Sequence, residues 1–360
     1  KAVSRLSNTT TTTTTTTTTK RKRMRLFSSQ SIVSSSSSFR SSSSLKAGTS
    51  PSKTVDITET NKMKYCDTHC HMEMILEKLA EEKNKTGTPS TNYSFNDWIL
   101  SVRAKEEALG YEFEKMLTIA CSPANWIEIE KLLAEREEVF GAFGIHPLNA
   151  NLFDDRRTID SIRKIYEKFP LKMKAIGECG LDYYVKTKEW GEEEVETCPI
   201  EWRNVQKKAF IEQIELSKSL GLALVIHARD SGSGECERDC LNILKTYASK
   251  GQKIHVHCFT GSIEFARELL STFENLRIGF TGVCTFKNAK KIRDVIEIVP
   301  LNRLLLETDG PYMSPSPFRG RVCEPSMIPK IAEEIARVKN VQIEDVFLAC
   351  RENTRDTYGF

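Results

Sequence analysis

The chain has 360 residues, enough for one large α/β barrel with a tail, and is 39% hydrophobic. It contains no apolar run near the roughly eighteen residues of a membrane-spanning helix, which excludes one. The formal net charge of +3 divides unevenly, because residues 1–55 hold ten Lys/Arg and no Asp/Glu while the remainder holds 42 basic and 49 acidic residues, a balance of −7. The folded part is therefore mildly acidic, and the positive total is no evidence of a nucleic-acid surface.

In chain order, residues 1–55 form a low-complexity tail: eleven consecutive Thr from Thr9, "KRKRMR" at 20–25, and serine runs at 34–38 and 41–44. Such a segment buries too little apolar surface to offset its ordering entropy and is expected to be disordered. Its acid-free, Arg/Ser-rich composition fits an organelle transit peptide, its basic cluster fits a nuclear signal, and homopolymer drift would need no role at all. The eleven cysteines are scattered, odd in number and free of CxxC pairs. That argues against a disulfide framework and a cysteine zinc site, and for a reducing intracellular setting in cytoplasm, nucleus or an organelle.

From about residue 63, short apolar runs alternate with helical periodicity, and 56–360 reads as one domain. The expected strands are 63–69, 115–121, 139–146, 173–178, 223–228, 253–259, 277–282 and 303–309. Between them, Phe210, Ile214, Ser217 and Leu220 recur at helical spacing with Gly221 as C-cap, and Met327, Ile331, Ile335 and Val338 do the same. Eight buried strands alternating with helices predict a closed (β/α)8 TIM barrel. No GxGxxG or Walker-type loop opens a helix, which removes the usual mark of an open nucleotide-binding sheet.

The catalytic edge of such a barrel is the C-terminal end of its strands. In "YCDTHCHMEM" (65–74), His69 and His71 stand at i and i+2, on one face of a strand. His146 ends the third run, Glu178 the fourth, His227 the fifth, His257 the sixth and Asp309 the eighth. Five of six histidines thus fall on one rim, which points to metal. His255, two residues before His257, lies one layer deeper and reads as a supporting residue. Four imidazoles and two carboxylates without a thiolate suit Zn²⁺, Mn²⁺ or Mg²⁺ in an open site. Six ligands suffice for two ions about 3.5–4 Å apart, which activate water for hydrolysis. No GxSxG elbow supports a nucleophilic serine, and "DSGSGE" (230–235) reads as a flexible loop.

The strings "DTHCHME", "GIHPLN", "AIGECGLDYY", "VIHARD", "HCFTG", "FTGVCTFKNA", "LLLETDGPYMSP" and "RGRVCEP" resemble, in matching order, the TatD-like metal-dependent hydrolases of the amidohydrolase superfamily. The resemblance covers roughly 64–356. It implies a deoxyribonuclease that trims DNA from a 3′ end. It further implies one ion on His69, His71 and Asp309, a second on His227 and His257, and Glu178 bridging. Asp309 and Glu178 would be the catalytic carboxylates, with Asp309 orienting or deprotonating the attacking water. His146 would lie near the substrate phosphate, and Arg229, Arg319 and Arg321 would contact the substrate backbone.

Gly310, Phe318 and Cys323 depart from residues common in the family, the last two at expected substrate contacts. Segments 81–98 and 186–202 look longer than in compact members, and the second is acidic with Trp190 and Trp202 at its ends. Both leave from the catalytic edge and should shape access to it. Hydrolysis of a small amide, lactone or ester by the same site, or an adaptor barrel without turnover, are the alternative readings. Nothing indicates a membrane or a protein partner, and a monomer is assumed.

Overall fold

All eight expected runs become strands of one parallel sheet, each hydrogen-bonded to the next in chain order. The computed structural model describes residues 62–85, 93–184 and 198–360; the tail at 1–55 lies outside the described residues. The strands are β1 (Met63–Cys70), β2 (Tyr111–Ala120), β3 (Val139–Phe143), β4 (Met173–Asp182), β5 (Ala223–Arg229), β6 (Ile254–Val256), β7 (Leu276–Phe280) and β8 (Leu304–Leu306). The helices α1 (Met72–Lys85), α2 (Phe95–Leu109), α3 (Trp126–Glu135), α4 (Asp155–Lys168), α5 (Ile200–Leu220), α6 (Glu235–Tyr247), α7 (Ile263–Thr272), α8 (Lys290–Ile298), α9 (Ile328–Lys339) and α10 (Ile343–Tyr358) intervene or follow. The sheet closes at its C-terminal edge. There Asp309 N–H donates to the His69 carbonyl at 2.8 Å, and His71 N–H to the Gly310 carbonyl at 2.8 Å. The fold is the expected (β/α)8 barrel.

Leu117, Ile119, Ala142, Ala175, Val225 and Leu305 pack inside the barrel. The outer strand faces bury against helices such as α5, through Phe210 and Ile214, and α9, through Ile331 and Ile335. Gly221 ends α5 at φ 66°, the left-handed cap its position predicted.

Five strands stop before the expected ends: β2 by one residue at Ala120, and β3 at Phe143, β6 at Val256, β7 at Phe280 and β8 at Leu306 by two or more. Beyond them the backbone leaves the ladder so that rim side chains can splay, and Cys258 and Asp309 take φ of 42° and 54°. β4 does the opposite, running four residues past Glu178. Its pairing with β5 slips between Ile176 and Cys179, a bulge that re-aims the intervening side chain. Gly177, at φ 138°, makes this possible, because a Cβ there would lie 2.5 Å from the Val225 carbonyl oxygen.

Of the segment 81–98, the described residues are mostly helical. Residues 81–85 complete α1, and 95–98 open α2, where Ser94 and Asp97 form a capping box. Residues 86–92 lie outside the described residues, as do 185–197, which carry Trp190 and the acidic stretch; Trp202 sits in the first turn of α5. The eleven cysteines are all free thiols. Among the described residues, no helix is long and apolar enough to cross a membrane.

Candidate metal centre

Strand ends bring the chemistry together. His69 is the penultimate residue of β1 and His71 the first after it; their rings lie 5.5 Å apart at 80°. Asp309, on the turn after β8, sets Oδ1 3.6 Å from His69 Nε2 and 3.5 Å from His71 Nε2. Asp67 holds this corner from below, accepting the Thr308 N–H and the His69 N–H at 3.1 Å each. His71 Nδ1 lies 3.3 Å from the Ile119 carbonyl, which fixes Nε2 as the outward atom.

Glu178 stands between this group and a second. Its Oε2 lies 3.4 Å from His69 Nε2, while its Oε1 lies 2.8 Å from His227 Nδ1, 2.6 Å from His257 Nε2 and 3.5 Å from His146 Nε2. The His69 and His257 rings stack at 3.9 Å, so the two groups share a wall. His227 donates from Nε2 to Asp182 Oδ2 at 3.0 Å, leaving Nδ1 for the centre.

The electrostatics follow from burial and these neighbours. Burial opposes ionisation of Glu178, but the His257 and His146 imidazoles outweigh it and hold the carboxyl well below its usual range. Burial likewise opposes Asp309, whose hydrogen bond from His71 and the nearby His69 keep it low. Burial pushes His69 and His146 down to about 3, so both are neutral imidazoles. Burial also disfavours a charged His227, yet hydrogen bonds to Asp182 and Glu178 lift it to about 10.

A divalent cation fits these residues. Both ring nitrogens of His69 and Nδ1 of His257 are buried without a hydrogen-bond partner, although buried polar atoms are ordinarily satisfied. His69, His71 and Asp309 form one cluster of converging donor atoms; His69, His257 and Glu178 form another. Imidazole nitrogens and carboxylate oxygens are the donors that zinc and manganese take.

A family model, TatD related DNase, matches residues 66–359. The chain belongs to the TatD family. A human protein named 3'-5' RNA nuclease TATDN2 is 33% identical over 300 residues, covering 82% of this chain but 35% of the human protein. A Bacillus subtilis protein named as an uncharacterized metal-dependent hydrolase, YabD, is 32% identical over 251 residues, covering 69% of this chain and 89% of that one. Among solved structures, the Escherichia coli TatD homologue YJJV superposes with a TM-score of 0.65 at 24% identity, over 82% of this chain and 98% of that one, which supports the fold alone. This TatD-family chain is a metal-dependent hydrolase.

The structure gathers His69, His71, Glu178, His227, His257 and Asp309 at one place, with His146 beside them. His255 lies deeper, as expected, its Nδ1 2.6 Å from the Tyr358 hydroxyl. Glu307 Oε2 sits 2.8 Å from His255 Nε2 but out of hydrogen-bond alignment. Sequence reasoning missed Asp67, Asp182, Glu307 and Cys121. The Cys121 thiol lies 3.6 Å from Glu178 Oε2, and burial pushes it up to about 12, so it stands as S–H.

The arginines are dispersed. Arg229 stacks 4.0 Å over the Tyr184 ring, and Arg319 stacks 3.7 Å over Phe286 on the β7–β8 side. Arg321 lines a cleft of about 670 Å³ with Leu79, Lys105, Phe318 and Lys330, which none of the candidate ligands lines.

Proposed function

We propose that this hydrolase cleaves nucleic-acid phosphodiesters, trimming DNA from a 3′ end, with two divalent ions (zinc, manganese or magnesium) at the centre. The observation that carries the reading is Glu178, whose two oxygens face two different imidazole groups. Ions bound there would lower the pKa of water and offset charge on phosphoryl oxygens. His69, His71 and Asp309 would hold one ion, His227 and His257 the other, with Glu178 between. Asp309, kept ionised, accepts the proton of the attacking water. Neutral His146 donates a hydrogen bond to a phosphate oxygen. Arg229 and Arg319, each placed over an aromatic ring, contact the substrate backbone on two sides of the face; Arg321 reaches a more distant phosphate. RNA is the second reading, favoured by the name of the human relative.

Metal-free protein given Mg²⁺, Mn²⁺ or Zn²⁺ in turn should shorten end-labelled DNA, and the same assay on RNA decides between the readings. Asp309→Asn should slow cleavage about 10²-fold or more. If neither polymer is cut by protein that binds metal tightly, the nuclease reading falls and small esters and amides become the substrates to screen.

Asp182 acts through His227. Removing the acceptor in Asp182→Ala frees the ring to turn, and metal affinity should fall about 10–100-fold; unchanged affinity in a chelator competition would dismiss that role. The pH dependence has a definite sign. His227, lifted to about 10, carries a proton at neutral pH in the metal-free protein, and a bound ion must expel it. Affinity should therefore weaken as pH falls, by about tenfold per unit for each proton displaced, in competitive titrations between pH 6 and 8.

A further inference from the structure

The N-terminal mouth of the barrel carries charge that the metal centre does not use. Lys115 on β2, Lys174 on β4 and Lys172 just before β4 set their ammonium groups 5.5, 5.3 and 4.7 Å from the centre of one ring, that of Phe140 on β3. Lys253, the residue before β6, adds a fourth charge that acts on Lys174. Lys115 and Lys174 thus come from two alternate strands and Lys253 from the residue leading into a third, the arrangement of a single layer of such a barrel. Behind Phe140, the Phe360 ring stacks at 4.3 Å and in turn stacks on Tyr358 at 5.7 Å. Phe140 and Tyr358 join the packed apolar interior of Leu117, Ala142 and Leu305, which separates this mouth from the metal centre.

The four lysines are not alike. Lys172 gives its protons to the carbonyls of Arg136, Glu137 and Val139 at 2.7, 2.9 and 3.2 Å, and Glu137 and Glu138 act on it. Among the described residues, Lys115, Lys174 and Lys253 form no ion pair. Burial first, and then the ammoniums of Lys115 and Lys253, lower the pKa of Lys174; no carboxylate offsets them. The aromatic face of Phe140 offsets part of that repulsion. Two unpaired ammoniums over one ring, with the Lys253 charge acting on one of them, match an anion with several charges, and lysine binds phosphate as a point charge.

We propose that this mouth is a binding site for a multivalent phosphate, held by Lys115 and Lys174 at the Phe140 ring together with Lys253 beside β6. The phosphate is either an inorganic one or the phosphate chain of a nucleotide.

The test uses the full chain freed of metal, titrated calorimetrically with inorganic pyrophosphate and separately with adenosine triphosphate. Saturable one-to-one binding is expected, at least tenfold weaker in Lys115→Ala/Lys174→Ala and several-fold weaker in Lys253→Ala, whose exposed side chain the fold does not need. Pyrophosphate should raise the melting temperature of the parent and not that of the double variant. Without anion the double variant should melt at or above the parent, since two like charges are gone, and this separates loss of the site from loss of the fold. Equal binding of both probes assigns recognition to the phosphate chain; binding of the nucleotide alone makes a nucleotide the ligand. Absence of saturable binding, or binding that survives in both variants, overturns the proposal.

Discussion

Glu178→Gln is expected to lower the hydrolytic rate by about 10³-fold or more, the largest functional effect of any single substitution in this chain. Glutamine preserves the length and planarity of the side chain but presents one oxygen and an N–H₂ group where two anionic oxygens stood. Oε1 now serves His227 and His257 while Oε2 faces His69. An amide can satisfy one of those sides and must point donors at the other. Bound metal per chain should fall together with the rate, so both are measured on the same preparation. Retention of turnover within tenfold of the parent would remove Glu178 from the centre.

The largest expected effect on stability lies one layer below. A Cβ built on Gly279 of β7 would stand 2.3 Å from His255 Nε2 and 2.5 Å from the Glu307 carboxyl, a pair that is fully buried. Neither neighbour has room to yield. Cys258 N–H donates to Glu307 Oε1, and His255 is tied to the Tyr358 hydroxyl at 2.6 Å. Gly279→Val should therefore cost about 3 kcal/mol, the upper end of overpacking, lowering the melting temperature by roughly 6–12 °C. Gly251→Ala supplies the contrast. Its new Cβ would meet nothing nearer than Glu274 Oε1 at 3.6 Å, so it should melt within a degree or two of the parent. A normal melting temperature for Gly279→Val would show that the buried pair can move aside.

The strands were legible because parallel strands buried on both faces read as continuous apolar runs, and the gathering of the candidate ligands because they end those runs. Their limits were not, since "VHCFT" remains β-compatible past Val256, where the backbone turns away. Period-two reasoning sets His255 beneath His257. The same rule sets Asp67 beneath His69 and Glu307 beneath Asp309, a signal present in "CDTH" and "LETD" that is lost when only histidines are followed. Asp182 is a different case. The bulge at Gly177–Glu178 breaks the alternation, so the face of a residue four positions on cannot be counted from the sequence. Arg229 ends β5 while Arg319 and Arg321 sit on the loop after β8, where no periodicity operates, so the sequence could not tell that Arg321 lines a separate cleft.

The closure of β8 onto β1 has a consequence for how the chain is made. Thr68 on β1 bonds the Leu306 carbonyl across 238 residues of sequence, and the same seam brings Asp309 to His69 and His71. A chain that stops anywhere between His257 and Asp309 would carry every histidine of the candidate centre and still lack Asp309. The first candidate ligand cluster is thus a clasp across the barrel's seam, joining its first strand to the turn after its eighth. Such long-range pairing is slow to form. Retained metal would mark a molecule whose ring has closed, and chains that stop short of Asp309 would lack the stabilisation a bound ion gives.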